Sequence, residues 1–477
     1  MEKRIVIIGA GPGGYVAAVR AAALGADVTI IEKENPGGTC LNRGCIPSKI
    51  FKTSADLFLS FKDAGKFGIV PGQAPCFDMA ALMQRKQDII KTQRQGIMNL
   101  LKKSCVKFEH GRGVIKRKGI ASVIAENGDK KEIPFDKLIL ATGTTPFDVP
   151  AFPFNGKTIL SSDDLLELKE IPKSIVIVGG GVIGCEFAFI LSALGAKVTI
   201  VEAMSRLLPL PSVDESCSKI LQREMKKKKM KFLVDQVVTR AEVKGDNLCV
   251  TTGASPFLDR EKQSKIKSQC IEVEKMAVCI GRSPLAGDIG LENIGLVTDE
   301  KGWINVNDKM ETKIPDVYAI GDILGPSRIM LAHVASHEGM VAAENAMGKD
   351  RKMHYNAVPG AIFTTPEIGN VGITESEARK QGIDVTCSSV NFRNLGKAQA
   401  MGEIAGEAKI VAEKKSGKVI GVHIIGPHAT DLIAEGALAV TRNLLISDIA
   451  ETIHAHPTLA EIMSETALKG TGMAVHG

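Results

Sequence analysis

Cys40 and Cys45, with four residues between them in GGTCLNRGCIPSK (37–49), are the side chains of this sequence best suited to chemistry. Two thiols so close act as a dithiol–disulfide couple, bind a metal, or sit inert. In a regular helix they stand ~7.5 Å apart along the axis, whereas a disulfide wants its Cα atoms ~5.5–6 Å apart. A couple therefore needs a distorted turn, which Gly44 permits, and Pro47 suits a helix start or a turn better than a helix interior. No further Cys or His follows at zinc-like spacing, which disfavours a metal. A second group of ionisable residues lies in HAHPTLAE (454–461). Spacing alone leaves open whether its histidines do proton chemistry or merely flank a capped helix start.

Two glycine motifs show what such thiols would exchange electrons with. Gly9, Gly11 and Gly14 follow the apolar run 5–8 and open a helical stretch. The first glycine makes a tight turn, the second lets the backbone reach a pyrophosphate, and the third lets helix and strand pack closely. The helix N-terminus then turns partial positive charge toward phosphates. Glu32 ends the next strand, where a carboxylate accepts hydrogen bonds from ribose hydroxyls. Gly179, Gly181, Gly184 and Glu202 repeat this with the same 23-residue spacing from first glycine to acid. Glu202 repels a 2′-phosphate and receives a 2′-hydroxyl, which argues for NAD; nearby Arg206 is the residue that would favour NADP instead. Glycine turns built for packing alone are the competing reading, disfavoured by strand, helix and acid together. Two dinucleotide sites imply electron transfer between a permanently held flavin dinucleotide in the first and a diffusible nicotinamide in the second.

The elements that position these residues repeat. RIVIIGAGPGG from Arg4 matches SIVIVGGGVIG from Ser174 at an offset of 170, and ALGADVTIIEK from Ala23 matches ALGAKVTIVEA from Ala193 at the same offset. KLILATGTTP from Lys137 and KMAVCIGRSP from Lys275 echo each other as strands running into glycine turns. VYAIGD, ending at Asp322, reads as a strand returning to the first fold. The expected class is α/β, with two Rossmann-like dinucleotide-binding domains, the second inserted in the first. From Lys349 alternating strands and then helical periodicity indicate an α+β domain of about 130 residues. The expected divisions are 1–147, 148–276, 277–348 and 349–477. Segment 255–269 reads as an exposed hairpin or loop excursion without chemistry.

Composition excludes other classes. At 44% hydrophobic and 24% charged residues the chain is that of a soluble globular protein. One Trp and three Tyr leave little to stack on single-stranded nucleic acid. The net charge is only +6, and the Lys run 226–229 reads as solvated surface, so neither nucleic acid nor membrane insertion is expected. No stretch is apolar enough to span a bilayer, and the immediate start of a strand leaves no room for a targeting peptide, so a cytoplasmic location is expected. Ten cysteines are too sparse for a disulfide scaffold. Cys76, Cys105, Cys185, Cys217, Cys249, Cys270, Cys279 and Cys387 show no motif spacing and read as structural or incidental thiols.

CLNRGCIPSK resembles the redox-active disulfide of the pyridine-nucleotide disulfide oxidoreductases, the group that includes glutathione and mercuric reductases, and the resemblance covers essentially the whole chain. It implies one non-covalent FAD per subunit, Cys45 against the flavin as a charge-transfer thiolate, and Cys40 exchanging with the substrate disulfide. Lys49 is implied near the flavin N5, paired with Glu186. Asp322 is placed on the ribityl chain, with Met330, Leu331, Ala332 and His333 continuing the contact. Lys33, Gly38, Thr39, Gly113, Ala141, Thr142 and Gly143 complete the implied FAD surface. Val182, Ile183, Glu186, Val238 and Gly281 join the second fingerprint and Glu202 around NAD. His456 is implied as the general base toward the dithiol, with Glu461 fixing its tautomer and His454 behind it. By the same resemblance the C-terminal domain is a homodimer interface, reaching into the cysteine site of the other subunit. Arg43 departs from the family, whose better-known members carry Val there; it adds positive charge between the cysteines, where it would tune the thiolate.

The glutathione and trypanothione reductases resemble CVNVGCVPKK and lack an acid like Glu202, and mercuric reductases add a C-terminal cysteine pair that MAVHG does not contain. CLNRGCIPSK, Glu202 and HAHPTLAE together are most similar to the dihydrolipoamide dehydrogenases. That branch implies oxidation of a dihydrolipoyl dithiol through Cys40–Cys45 and FAD with reduction of NAD. Its implied partners are lipoyl domains and the acyltransferase core of a 2-oxo acid dehydrogenase complex, or a glycine-cleavage lipoyl protein. An NAD(P)H-driven reductase of another small disulfide and a mainly architectural complex subunit are the alternatives.

Overall fold

Uninterrupted β-branched runs bury both faces of a strand, and such runs form the centre of two parallel sheets. The computed structural model describes residues 3–70, 72, 75–245 and 247–476. The run RIVII becomes strand Arg4–Ile8, buried from Ile5 onward. It is the middle strand of a five-stranded parallel sheet ordered Val317–Ala319, Lys137–Leu140, Arg4–Ile8, Asp27–Glu32, Lys107–His110. The returning strand therefore pairs with Lys137–Leu140 rather than with the fingerprint strand itself. Helix Pro12–Ala23 follows the first glycines and packs on helix Ala332–Ala346, so closely that a Cβ on Gly339 would overlap the carbonyl oxygen of Gly13. These elements belong to one compact unit, Met1–Phe51, Asp78–Phe147 and Gly281–Tyr355.

A second unit comprises Lys52–Phe77, Asp148–Ile280 and Asn356–Gly477. Its parallel sheet runs Lys231–Leu233, Lys197–Val201, Ser174–Val178, Lys275–Val278, Ile159–Leu160; the first four strands repeat the order of the first sheet around a second fingerprint strand, while the edge strand precedes that strand in the chain. From residue 360 the chain builds a five-stranded antiparallel sheet, Gly360–Ile362, Glu367–Gly372, Val419–Gly426, Glu407–Glu413 and Val385–Asn391. Helices Ala429–Arg442 and Glu461–Gly470 bury Ile433, Val440, Ile462 and Met463 in the apolar core of this sheet. The expected class, two Rossmann-like folds and a C-terminal α+β domain, is the observed one.

One expectation needs correction. Cys249 and Cys270 are not incidental thiols but a disulfide, with Cα atoms 5.7 Å apart. Strands Asn247–Ala254 and Gln269–Val273 are antiparallel, with Cys249 opposite Glu272 and Thr251 opposite Cys270. This register puts the two sulfurs diagonally on one face. Nothing in a separation of 21 residues states that register. Segment 255–269 is the exposed connection of this hairpin, as expected, and it carries a short helix, Arg260–Lys265, capped by Asp259, which accepts from the Lys262 N–H at 2.8 Å. The Lys run 226–229 is exposed.

Candidate redox and dinucleotide site

Strand Arg4–Ile8 turns at Gly9, where φ is +105° and a Cβ would strike the Ala141 carbonyl. Gly11 caps the helix with Pro12 at its first position, where a missing N–H costs nothing. Near Gly11 an added Cβ would meet only the Gly38 Cα, at 3.8 Å, so a ligand can approach the backbone. A Cβ on Gly14 would overlap the carbonyl of Gly9, and one on Gly184 that of Gly179. The two strand-end acids also correspond atom for atom. Glu32 Oε2 accepts from the Ala10 N–H at 2.7 Å and Oε1 from that of Glu34 at 2.9 Å. Glu202 Oε2 accepts from the Gly180 N–H at 2.6 Å and Oε1 from that of Met204 at 2.8 Å. Each acid thus buttresses its glycine turn, a role the sequence reading missed, and each carboxylate oxygen keeps lone-pair capacity for a ribose hydroxyl. Arg206 donates to the carbonyls of Leu208, Leu210 and Val213 at 2.8–3.1 Å, which commits its guanidinium away from a 2′-phosphate.

The first fingerprint opens on a cavity of about 520 Å³. Of the expected flavin contacts, Gly9, Gly11, Glu32, Lys33, Gly38, Thr39, Gly113, Ala141, Thr142, Gly143, Asp322, Met330, Leu331 and Ala332 line it, together with Cys40 and Cys45. Gly14, Lys49 and His333 are not among the lining residues; Gly14 packs behind the turn. The buried Thr142 Oγ1 finds no hydrogen-bond partner among the described residues. An orphaned hydroxyl in a cavity with open glycine backbone fits a ligand carrying polar groups along its length, as a dinucleotide does. Missed by the sequence reading is a chain of side chains behind Asp322. Arg282 Nε donates to Thr144 Oγ1 at 2.6 Å, and Thr144 Oγ1 donates to Asp322 Oδ2 at 3.2 Å. Burial pushes the Asp322 carboxyl above its ordinary value, against the pull of Arg282 and Thr144. The signal was present: Thr144–Pro146 and Arg282–Pro284, which pair antiparallel, are the tails of the two echoing segments.

Cys40 lies in helix Gly38–Arg43 and Cys45 starts helix Cys45–Asp63; the break between them is Gly44, at φ −146° and ψ −114°. A Cβ there would come within 2.9 Å of the Thr39 carbonyl oxygen, so the turn that the thiol pair needs also needs glycine. Cys40 is half-buried and Cys45 exposed, and their side chains are hydrogen-bonded to each other. The hydrogen bond to Cys45 and then burial push the Cys40 thiol far up, and the Lys49 ammonium pulls it back. Tyr15, also unforeseen, has its phenol raised by burial and by Cys40. The Arg43 guanidinium pairs with Glu34.

In the second unit Gly181 and Val182 open helix Val182–Ala193, with Ile183 partly exposed beside them. Glu186 is buried and accepts from the Phe363 N–H at 2.9 Å. Val238 is buried in the apolar core with Val176 and Val201, and Gly281, at φ +70°, falls in the first unit. His456 Nδ1 lies 2.7 Å from Glu461 Oε1, and Glu461 Oε2 accepts from the Thr458 N–H at 2.9 Å. Burial raises the Glu461 carboxyl, but His456, Thr458 and His476 outweigh it and hold it below its ordinary value. An ionised Glu461 accepts a hydrogen bond from Nδ1–H, which leaves Nε2 as the ring nitrogen able to accept a proton. His454 sits behind, with Nδ1 at 2.8 Å from the Thr452 carbonyl oxygen and Nε2 at 3.1 Å from Glu435. Among the described residues no helix is long and apolar enough to cross a membrane, and no group of three or more His, Cys, Asp or Glu is arranged to hold a metal.

Residues 3–339 match the family model "Pyridine nucleotide-disulphide oxidoreductase", and residues 358–467 match the dimerisation domain of the same family. A dihydrolipoyl dehydrogenase of Chlamydia trachomatis is 40% identical over 474 residues, covering 99% of this chain and 97% of the relative. One from Bacillus subtilis is 39% identical, covering 100% and 99%. Among solved structures, LpdA from Mycobacterium tuberculosis superposes with a TM-score of 0.89 at 26% identity, covering 98% of this chain and 99% of that one. The copper(II) complex of the HOCl-induced flavoprotein disulfide reductase RclA from Escherichia coli shares the fold, at a TM-score of 0.84 and 24% identity over 98% of this chain and 99% of that one.

Proposed function

Because the chain belongs to the pyridine nucleotide-disulphide oxidoreductases, we propose that it oxidises protein-bound dihydrolipoamide to lipoamide and reduces NAD to NADH. The observation that carries this reading is the Gly44 break, which sets Cys40 and Cys45 side by side on the wall of the first-fingerprint cavity. FAD held in that cavity supplies a two-electron carrier between the cysteines and the nicotinamide. The substrate dithiol gives up two electrons and two protons, and the Cys40–Cys45 disulfide receives the electron pair. His456 Nε2 takes a proton from the attacking thiol while Glu461 holds Nδ1. Cys40 exchanges with the substrate sulfur, and Cys45 remains as the thiolate. Lys49, which pulls the Cys40 thiol down, lowers the cost of negative charge on this pair. Thr142, Asp322 and the open glycine backbones would hold the FAD, and Gly179, Gly181, Gly184 and Glu202 the NAD.

The chain would act as a homodimer in the cytoplasm, divided at 1–147, 148–276, 277–348 and 349–477. It would serve as the E3 component of a 2-oxo acid dehydrogenase complex or of glycine cleavage, reached by a lipoyl arm. The test is NAD reduction by dihydrolipoamide, with NADP as an alternative acceptor, alongside NAD(P)H-driven reduction of glutathione disulfide and of Hg(II). Turnover with glutathione or Hg(II) but not with dihydrolipoamide would overturn the substrate assignment.

Two expected outcomes follow from the fingerprints. Gly14→Val should weaken FAD binding by about tenfold or more, the equivalent of ~1.4 kcal/mol, because its side chain displaces the Gly9 turn. Flavin absorbance per chain after gel filtration measures it. Glu202→Gln removes the charge that repels a 2′-phosphate and leaves Arg206 committed, so the ratio of kcat/KM for NAD over NADP should fall by about tenfold. An unchanged ratio would show that Glu202 serves only the Gly180 turn.

A further inference from the structure

Glu338 is a buried carboxyl group that the reaction above does not use. It lies on helix Ala332–Ala346, whose first turn lines the cavity through Ala332 and Ala335, and it is 1% exposed. Its Oε2 accepts from the Gly321 backbone N–H at 2.7 Å, and its Oε1 accepts from the Tyr355 hydroxyl at 2.6 Å. Gly321, at φ +75°, immediately precedes Asp322, and both line the cavity. The next residue, Gly339, is where the helix touches the backbone of Gly13 in the first fingerprint. One helix therefore meets both the phosphate-binding turn and the Asp322 turn.

We propose that Glu338 is a positioning residue for the flavin dinucleotide: by holding the Gly321 N–H it fixes the turn that presents Asp322 to the cavity. The inference rests on the assignment of FAD to this cavity. An apolar side chain of similar size would fill the space without the cost of burying a carboxyl group. It would also leave the Gly321 N–H without its acceptor. Burial pushes the Glu338 carboxyl up to about 7; Tyr355, the Gly321 N–H and Arg328 pull it down, and Asp322 pushes it further up. Arg328 lies over the Tyr355 ring at 5.0 Å and pairs with Asp308 at 3.7 Å, while Arg282 faces Asp322 at 3.9 Å. In either protonation state one oxygen still accepts from Gly321, and a protonated Oε1 donates back to the Tyr355 oxygen. The role is one of geometry rather than charge, and glutamine reproduces it with its carbonyl toward Gly321 and its amide toward Tyr355.

The experiment follows FAD release from the purified full-length protein after large dilution, read as the rise of free flavin fluorescence. Glu338→Leu should release FAD about 10–100-fold faster, the effect of one lost hydrogen bond to a charged or partly charged acceptor, and Glu338→Gln should stay near the wild-type rate. Asp322→Asn should speed release in the wild-type background and add little to Glu338→Leu, because Asp322 is then no longer held in place. Additive effects would reduce Glu338 to a generally stabilising residue and overturn the proposal, as would wild-type release from Glu338→Leu. If Glu338→Leu fails to fold, Glu338→Asp decides: it keeps the charge but is one methylene short of Gly321, so it should also release faster, and a wild-type rate overturns the proposal. A wild-type protein that carries no FAD and takes none up would instead defeat the cofactor assignment itself.

Discussion

Replacing either cysteine of the pair is expected to lower dihydrolipoamide-dependent NAD reduction by about 10⁴-fold or more, the scale seen when a nucleophile acting in concert with its neighbours is removed. The loss should be nearly as large for Cys40→Ser as for Cys45→Ser, because a disulfide needs both sulfurs. The double variant should then be little worse than either single one. NADH-driven reduction of an artificial electron acceptor needs only the two dinucleotide sites, so it should persist in all three variants. That contrast separates damage to the redox pair from damage to the fold. Cys40 and Cys45 flank Gly44 on the cavity wall, and serine is small enough to leave the turn intact. Retained dihydrolipoamide turnover in Cys40→Ser would mean that electrons enter by another route, and the mechanism proposed above would fail.

What the sequence made legible was local. The turn at Gly9, the close packing at Gly14 and the break at Gly44 each follow from the space available within a few residues, and each was readable from glycine placement alone. The 170-residue repeat carried the same reading to Gly179, Gly184 and Glu202. What stayed illegible depends on register or rotamer across long separations. Cys249 and Cys270 become partners only through the pairing of two strands. Arg43 also pairs with Glu34, a partner that its place between the cysteines does not name. Arg282 reaches Thr144 across 138 positions, and Glu338 reaches Gly321 from a different element. The acids Glu32 and Glu202 were singled out as ribose acceptors by type and place. Their hold on the glycine turns was missed, because a strand-end carboxylate has more acceptor capacity than one ligand uses.

The remaining large effect concerns His456, which belongs to one compact unit while Cys40 and Cys45 belong to the other. To act as base its Nε2 must come within ~2.6–3.2 Å of the dithiol, or one water further. The domain that carries it matches the family's dimerisation domain, and its imidazole side chain is 76% exposed in the single chain. A base with Nδ1 fixed on Glu461 and Nε2 uncovered fits a site completed by a second subunit. His456→Gln keeps similar bulk and cannot accept the proton, so dithiol oxidation should fall by about 10²–10⁴-fold, with flavin content and NAD binding unchanged. Exchange of subunits between Cys45→Ser and His456→Gln homodimers then becomes decisive. If each site takes its cysteines from one chain and its histidine from the other, a mixed dimer holds one intact site and one doubly damaged site. Random exchange makes half the dimers mixed, so activity should recover to about a quarter of wild type. Verified mixed dimers that stay inactive, while wild-type dimers survive the same exchange, would show that His456 serves the cysteines of its own chain.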